Sequence, residues 1–260
     1  MLKINMKYCL YLFLFIQSIL IPSAYALPSD ACHAGKFIQL NGYKIYYQIH
    51  GHGVPIVFDS GLGDDLTVWN KIIPVVDKFA KTITYDRIGI GCSQKTNSNI
   101  VITSQDSVNI LHTVLVKEQV APPYILVGQS LGGLNMQLFA AEYPAEVKGV
   151  VLIESMSRDQ TIYDAPPNKS ASYYPEAMGI KASILEVNKA KPFPAVSLIV
   201  ITATVHPGLE KFEPLWQKWQ KQIVLLSPLG VQVIAKGSGH DVQEDQPSVV
   251  IESIKKLITY

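Results

Sequence analysis

Short apolar runs alternate along this chain with stretches whose apolar residues recur every three or four positions. Residues 55–58, 82–85, 124–127, 147–153 and 196–201 are runs of the first kind. Near-continuous apolarity over so few residues suits strands buried on both faces, as in a parallel sheet. Residues 42–50 instead alternate β-formers with polar residues and predict an early, half-exposed strand, and residues 231–235 are strand-like as well. Residues 66–79, 104–119, 131–143, 216–226 and 248–257 carry helical spacing. Thr103 with Asp106 three positions on resembles an N-terminal capping pair, and Pro247 suits a helix start. Strand, helix, strand, helix in this order predicts a doubly wound α/β sheet.

One interval breaks the rhythm. Residues 155–194 carry five prolines with Tyr163, Tyr173, Tyr174 and Met178. The interval is too long for a simple connection and too apolar for a disordered linker, so it predicts a small cap over the strand ends. Its aromatic residues and Met178 either line an apolar acyl or aromatic pocket or pack the cap onto the sheet.

The N-terminus has a different character. Lys3 and Lys7 precede a nearly unbroken apolar run over residues 8–21, Pro22 ends it, and Ala24-Tyr25-Ala26 follows. This is the layout of a secretory signal peptide, expected over residues 1–26, and it predicts an exported chain of residues 27–260, periplasmic or secreted. Once the signal is removed, no stable membrane span is expected. Cys9 leaves with it, so Cys32 and Cys92 remain, either as one disulfide or as two thiols. A formal net charge of +1 offers no basic field for nucleic acid.

The strongest chemical signal is Gly128-Gln129-Ser130-Leu131-Gly132, between an apolar strand and a helix. A serine there sits in a tight turn at the sheet edge, with the free N–H groups of a helix N-terminus beside it. Its hydroxyl needs a base to become a nucleophile. His240, in the loop Gly237-Ser238-Gly239-His240 before the last helix, reaches the same edge. His50, His52 and His112 suit structural positions, whereas His206 follows a strand end and is less easily set aside.

Taken with Ser60-Gly61-Leu62-Gly63, Tyr85-Asp86-Arg87-Ile88-Gly89-Ile90-Gly91, Gly133 and Gly239-His240, the chain resembles the α/β-hydrolase superfamily over residues 36–258. The resemblance implies a mostly parallel central sheet with helices on both faces. It also implies an oxyanion hole from the backbone N–H groups of Leu62 and Leu131. Many members carry an Asp after the strand that here ends at Ile201, but no carboxylate follows before Glu210. Some relatives, certain haloalkane dehalogenases among them, place the acid after the strand following the elbow helix. That position is Glu154 here, with Asp159 and Glu210 as alternatives.

A serine rather than an aspartate at the elbow implies an acyl-enzyme, and so cleavage of a small-molecule carboxylic ester, thioester or amide. No metal-ligand spacing or nucleotide-binding loop accompanies it, so no metal or cofactor is expected. Two other readings stand beside the esterase. A proline-directed aminopeptidase of the same fold would need acids such as Asp159, Asp164 and Glu176 for a substrate amine, and a ligand-binding member would have lost catalysis.

Overall fold

The computed structural model describes residues 32–97, 99–160, 168–208 and 210–259. The signal-peptide expectation and Tyr163 lie outside the described residues. Eight strands form one sheet: β1 (Lys36–Leu40), β2 (Tyr43–Gly51), β3 (Pro55–Asp59), β4 (Lys81–Tyr85), β5 (Tyr124–Gln129), β6 (Val147–Ile153), β7 (Ser197–Ala203) and β8 (Gly230–Ala235). Their spatial order is β1-β2-β4-β3-β5-β6-β7-β8. β1–β2 and β2–β4 pair antiparallel, and every other neighbouring pair is parallel. All six residues of β5 are buried, the apolar run 124–127 as its sequence predicts and the polar Gln129 with it.

Alternation along β5 sends Leu126 to one apolar cluster and Ile125 and Val127 to the other, so the sheet divides two cores. Among the described residues seven α-helices cover the faces: α1 (Ile73–Val76), α2 (Ser104–Lys117), α3 (Leu131–Glu142), α4 (Tyr174–Lys189), α5 (Glu213–Val224), α6 (Val242–Asp245) and α7 (Pro247–Thr259). α2, α3, α4 and α5 supply the first cluster, and α1 and α7 the second. No described helix is long and apolar enough to cross a membrane.

One expectation needs correction. The helix predicted over residues 66–79 is two pieces, a 3-10 turn over Leu66–Trp69 and then α1. Pro74 is the cause: it cannot donate an N–H inside a continuous helix, and it sits instead in the first turn of α1. Within the predicted cap, the chain builds a 16-residue helix, α4, which packs against α2 and α3. Elsewhere the pattern holds. Thr103 caps α2, with Asp106 Oδ2 accepting from its N–H at 2.9 Å, and Pro247 opens α7.

Strand order fixes where chemistry can occur. From β3 the chain moves to β4 on one side and to β5 on the other, so the loops leaving β3 and β5 diverge. In an open α/β sheet, the crevice outside the carboxyl ends at such a reversal is where ligands bind.

Candidate active site

Ser130 follows β5 at that crevice and is the N-cap of α3, with φ 52° and ψ −116°. Positive φ strains a residue with a Cβ, and the surroundings impose it here. The Ser130 N–H donates to Ile153 O at 3.1 Å, and its carbonyl accepts from Met156 N at 3.0 Å. The turn closes tightly because strand, helix and neighbouring loop nearly touch. A Cβ on Gly132 would lie 2.2 Å from Asp59 O, and one on Gly128 would lie 2.5 Å from Gly132 O. Leu131, the first residue of α3, carries an N–H that has no acceptor within the helix.

Glu154 follows β6, also at positive φ (46°), and is fully buried. Its N–H donates to Ile201 O on β7 at 2.9 Å, which fixes the turn that aims the carboxylate. Glu154 Oε2 accepts from His240 Nδ1 at 3.2 Å, from His206 Nε2 at 2.8 Å and from Trp216 Nε1 at 2.8 Å. Glu154 Oε1 accepts from Ala203 N at 2.8 Å. Burial alone would raise the Glu154 pKa, but hydrogen bonds and charge from His206 and His240 outweigh it and hold the carboxyl below its usual value.

The sequence-predicted trio thus divides into an acid and a histidine in hydrogen-bond contact and a serine on the adjacent strand end. Gln129, beside Ser130, reaches the histidine loop through weak contacts from Nε2 to His240 O (3.5 Å) and Asp241 Oδ1 (3.4 Å). The competing acids lie elsewhere. Glu210 is exposed and accepts from Gly208 N in its own loop, while Asp159 is exposed with its N–H on Ser157 Oγ.

Leu62 sits on the loop after β3, which an ion-pair network holds rigid. Arg87, buried after β4, donates from Nη1 to Asp59 Oδ1 (2.6 Å) and Ser60 O (2.7 Å), and from Nη2 to Gly61 O (2.5 Å). Its Nε reaches Glu176 Oε1 on α4 at 2.6 Å, and Glu176 Oε2 accepts from Gly63 N at 3.2 Å. Tyr85 Oη and Asn135 Nδ2 complete the shell on Asp59 Oδ2 at 3.1 and 2.8 Å. The sequence motif around Arg87 was visible, but not that it clamps the loop bearing Leu62.

Other candidates fall differently. Tyr173 packs on Gly63, where an added Cβ would lie 2.8 Å from the tyrosine Cβ, so it borders the same loop. Tyr174 is buried at the start of α4 and Met178 is exposed on it. Glu176 is committed to Arg87, which leaves it no charge to spare for a substrate amine. His112 stacks on Tyr143 at 3.8 Å and faces Glu146, in keeping with a structural position. Cys32 and Cys92 are joined in a disulfide.

Asp64 has no counterpart in the sequence reading. It is half-buried, and its Oδ2 and the Oε1 of Gln129 both crowd Gly61. Its carboxyl is pushed up to about 7, by loss of water first and by the Asp241 carboxylate next. Among the described residues, Glu154, His206 and His240 offer three ligand atoms within 4.8 Å of one another. Three N–H donors already converge on the Glu154 oxygen in that cluster, so its geometry is that of a hydrogen-bond network.

Comparison with known proteins agrees with this architecture. A Bacillus subtilis (strain 168) protein, uncharacterized YqjL, is 26% identical over 206 residues, covering 76% of this chain and 81% of its own. The pimeloyl-[acyl-carrier protein] methyl ester esterase of Legionella pneumophila (strain Paris) is 30% identical over 123 residues, 47% of each chain. A thermophilic esterase from Thermogutta terrifontis superposes with a TM-score of 0.68 at 16% identity, over 86% of this chain and 98% of its own, a likeness of fold. Residues 54–207 match the alpha/beta hydrolase fold family, more than half of the sequence, and the chain belongs to that family.

Proposed function

We propose that this protein is an exported serine hydrolase that cleaves carboxylic esters through an acyl-enzyme on Ser130. The observation that carries the reading is the Glu154–His240 hydrogen bond, set beside a serine on a positive-φ turn. In this mechanism His240 Nδ1–H donates to Glu154, which leaves Nε2 as the base that takes the Ser130 proton. The serine oxygen attacks the ester carbonyl, and the developing oxyanion is received by the N–H groups of Leu62 and Leu131. Each such donor contributes about 3 kcal/mol in the transition state. The imidazolium returns its proton to the leaving alcohol. Water, deprotonated by the same histidine, then releases the acid.

The esterase reading draws further support from the Legionella relative, whose name describes a methyl ester esterase. Export is supported by the Cys32–Cys92 disulfide, a bond that persists in oxidising compartments, together with the N-terminal pattern. The aminopeptidase reading loses ground because Glu176 is spent on Arg87. The non-catalytic reading draws on the absent carboxylate after β7, and the Glu154–His240 hydrogen bond supports Glu154 as the acid instead.

A fluorophosphonate probe with p-nitrophenyl acyl esters tests the proposal. Labelling and ester turnover are expected in the wild-type chain, with both abolished by Ser130→Ala and turnover cut by orders of magnitude by Glu154→Gln. Folded wild-type protein that neither labels nor turns over would sink it. Faster cleavage of proline amides than of esters would move the assignment to the aminopeptidase.

A further inference from the structure

The loop after β7 is the place where the family resemblance leads one to expect a carboxylate. Here it carries His206, which is buried and reaches back to the acid on the neighbouring strand. The ring stands between two carboxylates: Nε2 contacts Glu154 Oε2 at 2.8 Å, and Nδ1 makes a short contact with Glu213 at the start of α5. A neutral imidazole has one N–H and one lone pair, so it can donate to only one of them. Donation to both requires the doubly protonated ring.

We propose that His206, held as an imidazolium between Glu154 and Glu213, is a positioning residue that fixes the acid on which His240 depends. The proposal rests on the serine-hydrolase reading of Ser130, His240 and Glu154. Each group facing this ring has a definable part. Glu154, from the end of β6, has no exposure to water, and a carboxyl so placed tends to neutralise unless donors hold it charged. Trp216 of α5 donates to the same oxygen, and its indole lies edge-on to both histidines, 6.0 Å from the His206 ring and 5.8 Å from His240. Glu213, one helical turn before Trp216, balances the His206 charge.

Counting charges, Glu154, His206 and Glu213 present one net negative charge to His240. That charge favours the His240 imidazolium as it forms during turnover. Burial would lower the His206 pKa, yet the Glu154 hydrogen bond and charge, with Glu213 behind them, hold it above the usual histidine value. Around His240 the described titratable neighbours include the half-buried Asp64 and Asp241 next in the chain.

The test uses His206→Gln and Glu213→Gln in the full chain, with rates normalised to fluorophosphonate-reactive sites. His206→Gln removes a cation while leaving both carboxylates, so Glu154 and His240 should each hold a proton to higher pH. The expected result is a kcat lowered about tenfold or more, KM within about twofold, and the acid limb of kcat/KM moved to higher pH. In Glu213→Gln the amide can donate to Nδ1, leaving Nε2–H on Glu154, so kcat should stay closer to wild type than in His206→Gln. Nitrogen-15 NMR of the imidazoles supplies a readout independent of turnover, and a doubly protonated His206 ring at pH 7 is expected. A singly protonated ring, or a His206→Gln profile with unshifted acid limb and unchanged kcat, overturns the role of His206 even if its Tm falls. A wild-type chain that never labels overturns the hydrolase reading instead.

Discussion

Asp64 is the residue whose protonation bears most directly on the crevice. Among the described residues Gln129 Oε1 is buried without a hydrogen-bond partner, and a protonated Asp64 beside it can donate to that oxygen, whereas an ionised one adds a second acceptor. Its folded pKa of about 7 stands above the ordinary carboxylate value of 3.8. The native state therefore binds a proton that the unfolded chain has released, and stability from this site falls as pH rises from about 4 to about 7. Asp64→Asn imitates the neutral form. Scanning calorimetry should find its Tm above wild type by about 2 °C or more at pH 8, with the gap closing near pH 4. Equal gaps at both pH values would mean that Asp64 does not titrate this way. The sequence made Ser130, His240 and Glu154 legible because each follows a strand end or a glycine turn with its own local signature. It could not pair His206 with Glu213, since nothing in spacing says which loop histidine faces which helix. The amphipathic pattern over residues 216–226 found α5 but began three residues late, and so passed over Glu213.

At the level of elements, periodicity located the central strands and most helices, and failed where burial is not apolar. The buried face of α4 runs through Glu176, Gly179, Ile180, Ser183 and Val187, a helical spacing filled largely by a charge, a glycine and a hydroxyl. Each meets a polar or backbone partner: Glu176 meets Arg87, Ser183 Oγ accepts from Ser104 N at 2.8 Å, and Gly179 abuts Ile102 O. A hydrophobic pattern cannot register such a face. β1 was missed for the opposite reason: as an edge strand with exposed residues it has little core to declare itself. The junction of α4 with the β3 loop gives a prediction of its own. One guanidinium forks onto two carboxylates and two carbonyls, a task for which the single ammonium of lysine lacks geometry. Arg87→Lys should cost about 2–4 kcal/mol in denaturant unfolding, since buried carboxylates lose partners. It should also reduce kcat about tenfold as the Leu62 N–H drifts. Unaltered kcat in a folded variant would separate the clamp from the role proposed for Leu62.

On the scale of the whole molecule, the site depends on a sheet whose two ends are secured differently. β8 lies at one edge beneath α5, and β1 lies at the other, paired with β2 and touching α2. The Cys32–Cys92 disulfide ties the chain just before β1 to the loop that follows Arg87. In that loop Cys92 N donates to Asp86 Oδ2 at 2.7 Å, and the same carboxylate accepts from Leu66 N at 2.9 Å, so the crosslink joins the β1 edge to the wall of the crevice. It spans 60 positions in sequence, and closing a loop of that length removes enough unfolded-chain entropy to be worth about 4 kcal/mol. The Arg87 contacts that hold the β3 loop do not pass through either sulfur. Replacing both cysteines by serine should therefore lower the unfolding free energy by about 2–4 kcal/mol. At 25 °C the kcat of the folded fraction should stay within about twofold of wild type, because the groups that set it are untouched. A variant of full stability would mean that the denatured chain is no freer without the bond. A variant with the expected stability loss but collapsed kcat would mean that the loop after Arg87 needs the crosslink to hold its shape, and would make the redox state of the compartment a condition of activity.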